Sequence, residues 1–169
     1  NDTSAHISIG QIYTKLKKFK LAIELLEPIK SRHPNNIRAL EALAELFYKM
    51  GNLDRSITEY RNILEHSPKH LPSYIQLGWV HYRKGEFQMA TAWTKRGLRL
   101  GVPSSKVILL ADMNLGLYSW LNGDHASAKN FYRNALINES EDIIKAILDD
   151  LKETTRLFPE STESYFFTG

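Results

Sequence analysis

A fixed period of about 34 residues constrains this chain more than any other feature of its sequence. A large apolar residue followed by a small one recurs at nearly constant intervals, at Ile9-Gly10, Leu43-Ala44, Leu77-Gly78 and, after a slightly longer interval, Leu115-Gly116. A further small residue follows each pair at a constant distance, at Ala22, Ser56, Ala90 and Ala128. Two landmarks that share one period indicate a repeat array, and periods of this length are typical of stacked supersecondary units.

Each interval between the landmarks has room for one helix end, one tight turn and one helix start. Glycines stand at the expected turns of three units, at Gly51, Gly85 and Gly123, where a left-handed residue commonly ends a helix. The pattern therefore predicts an all-α chain of four helical hairpins. The predicted helices run over Thr3–Leu16, Lys20–Arg32, Ile37–Met50, Leu53–Glu65, Pro72–Lys84, Phe87–Leu100, Ser105–Leu121 and Asp124–Ile137.

The repeated unit resembles the tetratricopeptide repeat, a helix-turn-helix of about 34 residues. The second unit carries its signs in order at Leu40, Leu43-Ala44, Phe47, Ser56, Tyr60 and Pro68. The first unit keeps Ile9-Gly10, Tyr13, Ala22 and Pro34, and the fourth keeps Leu115-Gly116, Ala128, Tyr132 and Ala135. The departures from the family pattern are His6, Leu26, Asp112, Ser119 and Ser140.

The resemblance covers about residues 3–142 and implies a right-handed α-solenoid with a C-terminal capping helix. We expect a single solenoid domain over residues 1–158, with repeats at about 3–36, 37–70, 71–104 and 109–142. The capping helix is expected over about 141–158, where apolar residues keep helical spacing at Ile144, Ile147, Leu148 and Leu151. Residues 159–169 are expected to form a tail, which contains the aromatic run 165–167.

Three positions within the predicted helices call for particular local structure. Pro28 lies inside the second helix, where proline removes one backbone hydrogen bond, so we expect a bend near Glu24. Asp54 stands at the start of the fourth helix and is expected to cap it. Pro72 suits the first turn of the fifth helix, where a backbone N–H is not required.

Composition narrows the function classes. The chain has 22 basic and 19 acidic residues and a net charge of +3, which lacks the excess expected of a nucleic-acid binder, so we predict no nucleic-acid partner. It has no cysteine, which excludes disulfides and cysteine metal sites. No apolar run is long enough to span a bilayer, so we predict no membrane contact within this fragment. The compartment stays open: a soluble cytoplasmic domain is favoured, and a periplasmic or membrane-anchored parent protein is compatible.

The sequence predicts no catalytic residues, no metal and no cofactor. His66 and His70 have the spacing of a metal pair on a helix, but Pro68 between them breaks that helix. No nucleophile elbow or phosphate loop is present. We therefore predict that the chain is not an enzyme.

The family resemblance implies that the first helix of each hairpin lines a concave groove that receives a partner polypeptide. Residues near each Leu-Gly pair would face this groove, polar in the second unit and largely apolar in the third and fourth. The candidate partner-binding residues are Arg38, Glu45, Lys49, Ile75, Gln76, Trp79, Tyr82, Arg83, Met113, Asn114, Leu117 and Trp120. Trp79, Tyr82, Met113, Leu117 and Trp120 are expected to form one exposed patch.

The predicted function is that of a protein–protein interaction scaffold, which holds a peptide or helical segment of a partner protein in the groove. Two alternatives stay open. One is self-assembly of the chain into a homo-oligomer through its open N-terminal face or its tail, and the other is service as the regulatory arm of a larger enzyme. The patch itself has an alternative, in which Trp120 belongs to the packing between hairpins, or the capping helix or residues 165–167 fill the groove.

Overall fold

A computed structural model describes residues 3–100, 103–136 and 153. Over these ranges the chain forms eight α-helices and no strand, so the all-α prediction is confirmed. Each predicted helix is present, with ends within one residue of the predicted ends. The helices are α1 (Thr3–Lys15), α2 (Phe19–Arg32), α3 (Ile37–Lys49), α4 (Leu53–His66), α5 (Leu71–Arg83), α6 (Phe87–Leu100), α7 (Ser105–Leu121) and α8 (His125–Leu136).

The helices pair in sequence into four hairpins, and the chain divides into two compact units. Residues 1–102 form the first unit, which holds α1 to α6, and residues 103–169 form the second, which holds α7 and α8. The array of helical repeats is as predicted. The extent of one domain over 1–158 stays a prediction, and the capping helix and the tail lie outside the described residues, apart from position 153.

Three hairpins close where the glycine of the landmark pair meets the second helix, at the same interval along the chain in each case. A Cβ atom added to the glycines would stand 2.7 Å from the Leu26 side chain for Gly10, 2.1 Å from Thr94 Oγ1 for Gly78 and 2.8 Å from the Tyr132 ring for Gly116. The two helices of such a hairpin therefore approach so closely that no side chain fits between them at this point.

The turns of three hairpins depend on glycine conformation. Gly51, Gly85 and Gly123 have φ angles of 79°, 77° and 80°, in the left-handed region that favours glycine. The amide that follows each glycine donates back to the first helix, as Asn52 N does to Phe47 O at 2.9 Å, so the turn satisfies a carbonyl at the helix end. In the first hairpin Lys17 takes this place with φ 57°.

Neighbouring hairpins of the first unit join through an apolar seam between the second helix of one and the first helix of the next. Leu43 belongs to a buried cluster with Leu26 and Ile29 of α2. One period later, Leu77 belongs to a cluster with Tyr60 and Ile63 of α4. The landmark residues Leu43, Leu77, Ala90, Leu115 and Ala128 are all buried.

The start of α4 corrects one prediction. Asn52, and not Asp54, caps this helix, because its Oδ1 accepts the backbone N–H of Arg55 at 3.2 Å. Asp54 lies within the first turn and instead accepts from Lys84 Nζ at 2.8 Å. This hydrogen bond, together with the positive charge of Lys84, lowers the pKa of the Asp54 carboxyl.

Pro28 lies inside α2 and does not end it. The helix runs from Phe19 to Arg32, and the proline side chain is exposed. Because proline has no N–H, the Glu24 carbonyl lacks its usual partner four residues on. The bend expected near Glu24 stays a prediction.

Candidate functional site

A pocket of about 430 Å³ opens between the first helices of the first three hairpins. It lies where the family resemblance implies a groove, and α1, α3 and α5 supply nearly all of its wall. The lining residues are Gln11, Glu41, Glu45, Tyr48, Lys49, Tyr60, Pro72, Gln76 and Trp79.

Trp79 is held in place at the aromatic end of the pocket. Its indole Nε1 on α5 donates to the Tyr48 hydroxyl on α3 at 2.8 Å. Its ring centre lies 4.9 Å from that of Tyr82, with the planes tilted by 42°. Trp79 is half-buried, so one part of the ring is fixed by these contacts while the rest lines the pocket. A rigid aromatic side chain in such a position loses little entropy when it binds.

The other end of the pocket is charged. Glu41, Glu45 and Lys49 stand on successive turns of α3, where spacings of three and four residues place side chains on one face. Glu41 Oε1 also lies 3.7 Å from Nε2 of His70. The carboxylates outnumber the lysine, so this end of the pocket carries more negative than positive charge.

Tyr60 forms the part of the wall that comes from a second helix. Burial, and after it the negative charges of Glu45 and Glu41, raises the pKa of the Tyr60 phenol well above its ordinary value. The phenol is therefore protonated throughout the physiological range and offers the pocket a hydrogen-bond donor.

Four predicted partner-binding residues line this pocket together: Glu45, Lys49, Gln76 and Trp79. Arg38 is exposed and lies elsewhere on α3, where its Nη1 donates to Ser4 Oγ at 2.9 Å. Arg83 is exposed at the end of α5 but does not line the pocket. The geometry brings half of the first unit's candidates to one place, and their role in binding stays a prediction.

Two candidates on α5 are buried, and the expectation that Tyr82 belongs to an exposed patch is wrong. Tyr82 is 2% exposed and Ile75 is 7% exposed. The reason is that α5 packs against both α4 and α6, which leaves only a narrow strip of it open. Between residues 73 and 82, Gln76 and Trp79 are the ones that are not buried.

The second unit holds the remaining candidates. Asn114 and Leu117 are 5% and 2% exposed, so the expectation of exposure is wrong for Leu117. The six residues 114–119 are all buried, and six consecutive residues cover the whole circumference of a helix. Met113 and Trp120 are half-buried, and the Trp120 ring meets the His125 ring edge-on at 4.5 Å. One patch that joins Trp79 to Trp120 stays a prediction.

Five lining residues of the pocket are not among the predicted partner-binding residues: Gln11, Glu41, Tyr48, Tyr60 and Pro72. Pro72 stands four residues before Gln76 on the same face of α5, so helical spacing could have found it. Tyr60 belongs to α4, a second helix, whereas only the first helices were expected to line the groove. Tyr60 follows Ala44 by the same interval at which Thr94 follows Gly78, so it stands where the other hairpins close. Its side chain is long enough for the ring to reach the pocket.

Metal-binding groups and membrane-spanning helices were both sought in the described part of the chain. Over 3–100, 103–136 and 153, no group of three or more histidines and carboxylates is placed to hold a metal ion. Within the same ranges, no helix combines the length and the apolar character needed to cross a membrane.

Models of the tetratricopeptide repeat match this sequence twice, over residues 3–28 and 38–70. The matches fall on α1 and α2 and on α3 and α4, the hairpins whose landmarks were read from the period. The chain belongs to the tetratricopeptide repeat family. Such arrays are protein–protein interaction scaffolds in general terms, which agrees with a pocket built from their first helices.

Two curated proteins are similar to this tetratricopeptide array. The tetratricopeptide repeat protein 21 homolog of Caenorhabditis briggsae is 23% identical over 134 residues, which are 79% of this chain and 10% of that protein. The human protein O-mannosyl-transferase TMTC1 is 25% identical over 107 residues, 59% of this chain and 12% of that protein. The array thus spans about a tenth of the length of each of these relatives.

Solved structures show the same fold at low sequence identity. PilW, described as a type IV pilus biogenesis factor, has a TM-score of 0.76 at 18% identity, with 93% of this chain and 70% of that chain covered. TTC0263 of Thermus thermophilus has a TM-score of 0.72 at 19% identity, with coverage of 90% and 82%. MamA has a TM-score of 0.69 at 16% identity, with the same coverage.

Proposed function

We propose that this tetratricopeptide array binds a peptide or helical segment of a partner protein in the pocket between α1, α3 and α5, and that it acts by binding and not by catalysis. The observation that carries the proposal is the position of Trp79. Its indole is fixed by Tyr48 and Tyr82, yet part of its ring lines an open pocket. A large aromatic surface that is left partly exposed adds little to folding but buries apolar area when a partner binds.

The charges beside Trp79 define the segment that fits. Glu41 and Glu45 supply acceptors, while Lys49 and the protonated Tyr60 supply donors. A segment with one apolar side chain for Trp79 and a lysine or arginine for the carboxylates would satisfy this arrangement. We expect affinity to fall as salt is added, because the charged groups at the mouth of the pocket are screened.

The proposal is tested by a photoreactive amino acid placed at Gln76, which is exposed and lines the pocket. Cross-linking should yield a defined segment of a partner protein, and that segment, made as a free peptide, should bind the unmodified chain. Thr58 is exposed on α4 away from the pocket, and the same probe there is the matched control. Equal products from both positions, or a peptide that does not bind, would contradict binding in this pocket.

Self-assembly is a second candidate, and the outer face of α1 favours it. Ile9 and Ile12 are 41% and 54% exposed. Their counterparts one period later, Leu43 and Leu46, are both 0% exposed, because the preceding hairpin covers them. The equivalent face of α3 packs against α2, the second helix of the preceding hairpin. A second copy of the chain offers helices of the same kind, so we infer that it covers the outer face of α1.

Sedimentation over a range of concentrations tests this second candidate. The unmodified chain should associate as its concentration rises, and Ile12→Glu should abolish the association, because a charge would replace an apolar contact. Thr58→Glu adds the same charge at an exposed site on α4 and should leave association intact. A chain that stays monomeric at every concentration rules out self-assembly.

A further inference from the structure

The second helices of the first two hairpins are joined on their outer side by ion pairs. Lys30 Nζ of α2 lies 2.6 Å from Glu59 Oε1 of α4, and Asn62 also donates to the Glu59 carboxylate at 3.2 Å. Arg55 Nη2 lies 2.7 Å from Glu27 Oε1. The chain therefore neutralises the cations between α2 and α4 with its own carboxylates.

The corresponding surface between α4 and α6 lacks these carboxylates. One period after Glu59 stands Trp93, and one period after Glu27 stands Arg61. The position that follows Asn62 by one period holds Arg96. Two acidic positions have become aromatic and basic, and an amide has become a guanidinium. The cations of the first surface are replaced as well, Lys30 by Leu64 and Arg55 by Met89. The charged lining of the second surface is therefore Arg61 and Arg96, with Glu65 as its single carboxylate.

Arg61 and Arg96 flank the Trp93 ring beside a pocket of about 380 Å³. The two guanidinium carbons lie 5.7 Å and 5.6 Å from the centre of that ring, and Arg96 also lies 5.7 Å from the Tyr74 ring. Contacts of this kind hold a guanidinium in place over an aromatic face. Within the described ranges neither arginine forms an ion pair, so their forked donors are preorganised and lack an anion.

The indole of Trp93 adds a further donor. Its Nε1 is buried and has no hydrogen-bond partner among the described residues, and a buried donor without an acceptor is costly. The neighbouring Tyr74 hydroxyl differs, since it donates to the Pro68 carbonyl at 3.0 Å.

The geometry points to a second protein-binding site here, at which an acidic segment of a partner places an aspartate or glutamate side chain between Arg61 and Arg96. Glu65 also lines the pocket, and its charge repels a doubly charged phosphate more strongly than a single carboxylate. Leu64 and Pro68 supply apolar surface for the rest of a peptide. Most of the site lies on the second helices α4 and α6, and it shares no lining residue with the pocket between the first helices.

The test uses a short glutamate-rich peptide with blocked ends, and its glutamine counterpart as the neutral control. The acidic peptide should bind and should shift the indole N–H resonance of Trp93 while those of Trp79 and Trp120 stay in place. Arg61→Gln with Arg96→Gln should weaken binding by at least about tenfold, because charge-assisted hydrogen bonds are lost. Lys129→Gln with Arg133→Gln removes the same charge from exposed positions of α8 and should change affinity by less than about twofold.

Each contrary result overturns the proposal. Equal loss in the two double variants would mean that binding follows net charge alone. Equal binding of the glutamine peptide would mean that no carboxylate is recognised, and a shift of the Trp79 resonance would place the peptide in the groove. Tighter binding of a phosphoserine peptide than of the glutamate peptide would assign the site to phosphate. No binding of the acidic peptide refutes the site.

Discussion

Gly78→Leu is expected to lower the free energy of unfolding by about 3 kcal/mol, the upper end of the range for overpacking a close contact. A Cβ atom at this position would stand 2.1 Å from Thr94 Oγ1 and 3.0 Å from the Ala90 carbonyl oxygen. The first obstacle is a side chain, but the second is backbone, which cannot rotate away. The two helices α5 and α6 would have to separate, and their separation would expose the seam on Leu77.

Urea unfolding of the variant and of the unmodified chain measures this effect. Gln76→Leu introduces the same side chain on the same helix at an exposed position, and it should change the free energy of unfolding by no more than about 0.5 kcal/mol. The smaller change Gly78→Ala should also lower the free energy of unfolding. Adding Thr94→Ala to it should restore part of that loss, because Thr94 Oγ1 is the atom nearest to the new Cβ. A Gly78→Leu variant as stable as the unmodified chain would show that α5 and α6 do not cross closely here.

Trp79→Ala is expected to weaken binding of the segment cross-linked at position 76 by about 2 kcal/mol or more, which is roughly thirtyfold in affinity. The indole is fixed by Tyr48 and lines the pocket, so its loss removes apolar contact area that is already ordered. Trp79 belongs to neither buried apolar cluster of the first unit. The melting temperature should therefore change little.

Titration calorimetry with the free peptide checks the effect of Trp79→Ala. Met89→Ala is the control, because Met89 is a large exposed apolar residue of α6 that does not line the pocket. It should leave affinity unchanged. If Trp79→Ala binds as tightly as the unmodified chain, or if it melts far below it, Trp79 serves the fold and not the partner.

The helices and hairpins could be predicted because the same packing and turn requirements recur in each repeat. A small residue such as Gly78 is needed wherever two helices cross closely, and a glycine such as Gly85 is needed wherever the chain turns with positive φ. These demands act locally, so they recur with the period. The cap of α4 was harder to predict, because Asn52 and Asp54 both have side chains that can accept a backbone N–H.

The site could be predicted only in part. The repeat period shows which positions are equivalent, but it does not show how exposed each side chain is. Gln76 and Trp79 lie on the open strip of α5 and line the pocket, and their role in binding stays a prediction. Ile75 and Tyr82 stand beside them in sequence but are buried, since the width of the strip is set by how α4 and α6 enclose the helix. The Lys30–Glu59 pair was also beyond prediction, because its partners lie on different second helices and share no short spacing.

The pocket between α1, α3 and α5 has a mechanical consequence for the array. The principal helix contacts of the first unit join a hairpin to itself or to the next one, as nearest-neighbour stacking requires. The pocket, however, draws Gln11 from the first hairpin and Gln76 and Trp79 from the third. A bound segment would therefore connect the first and third hairpins, which stacking connects only through the second. The three hairpins would then unfold together and not one at a time.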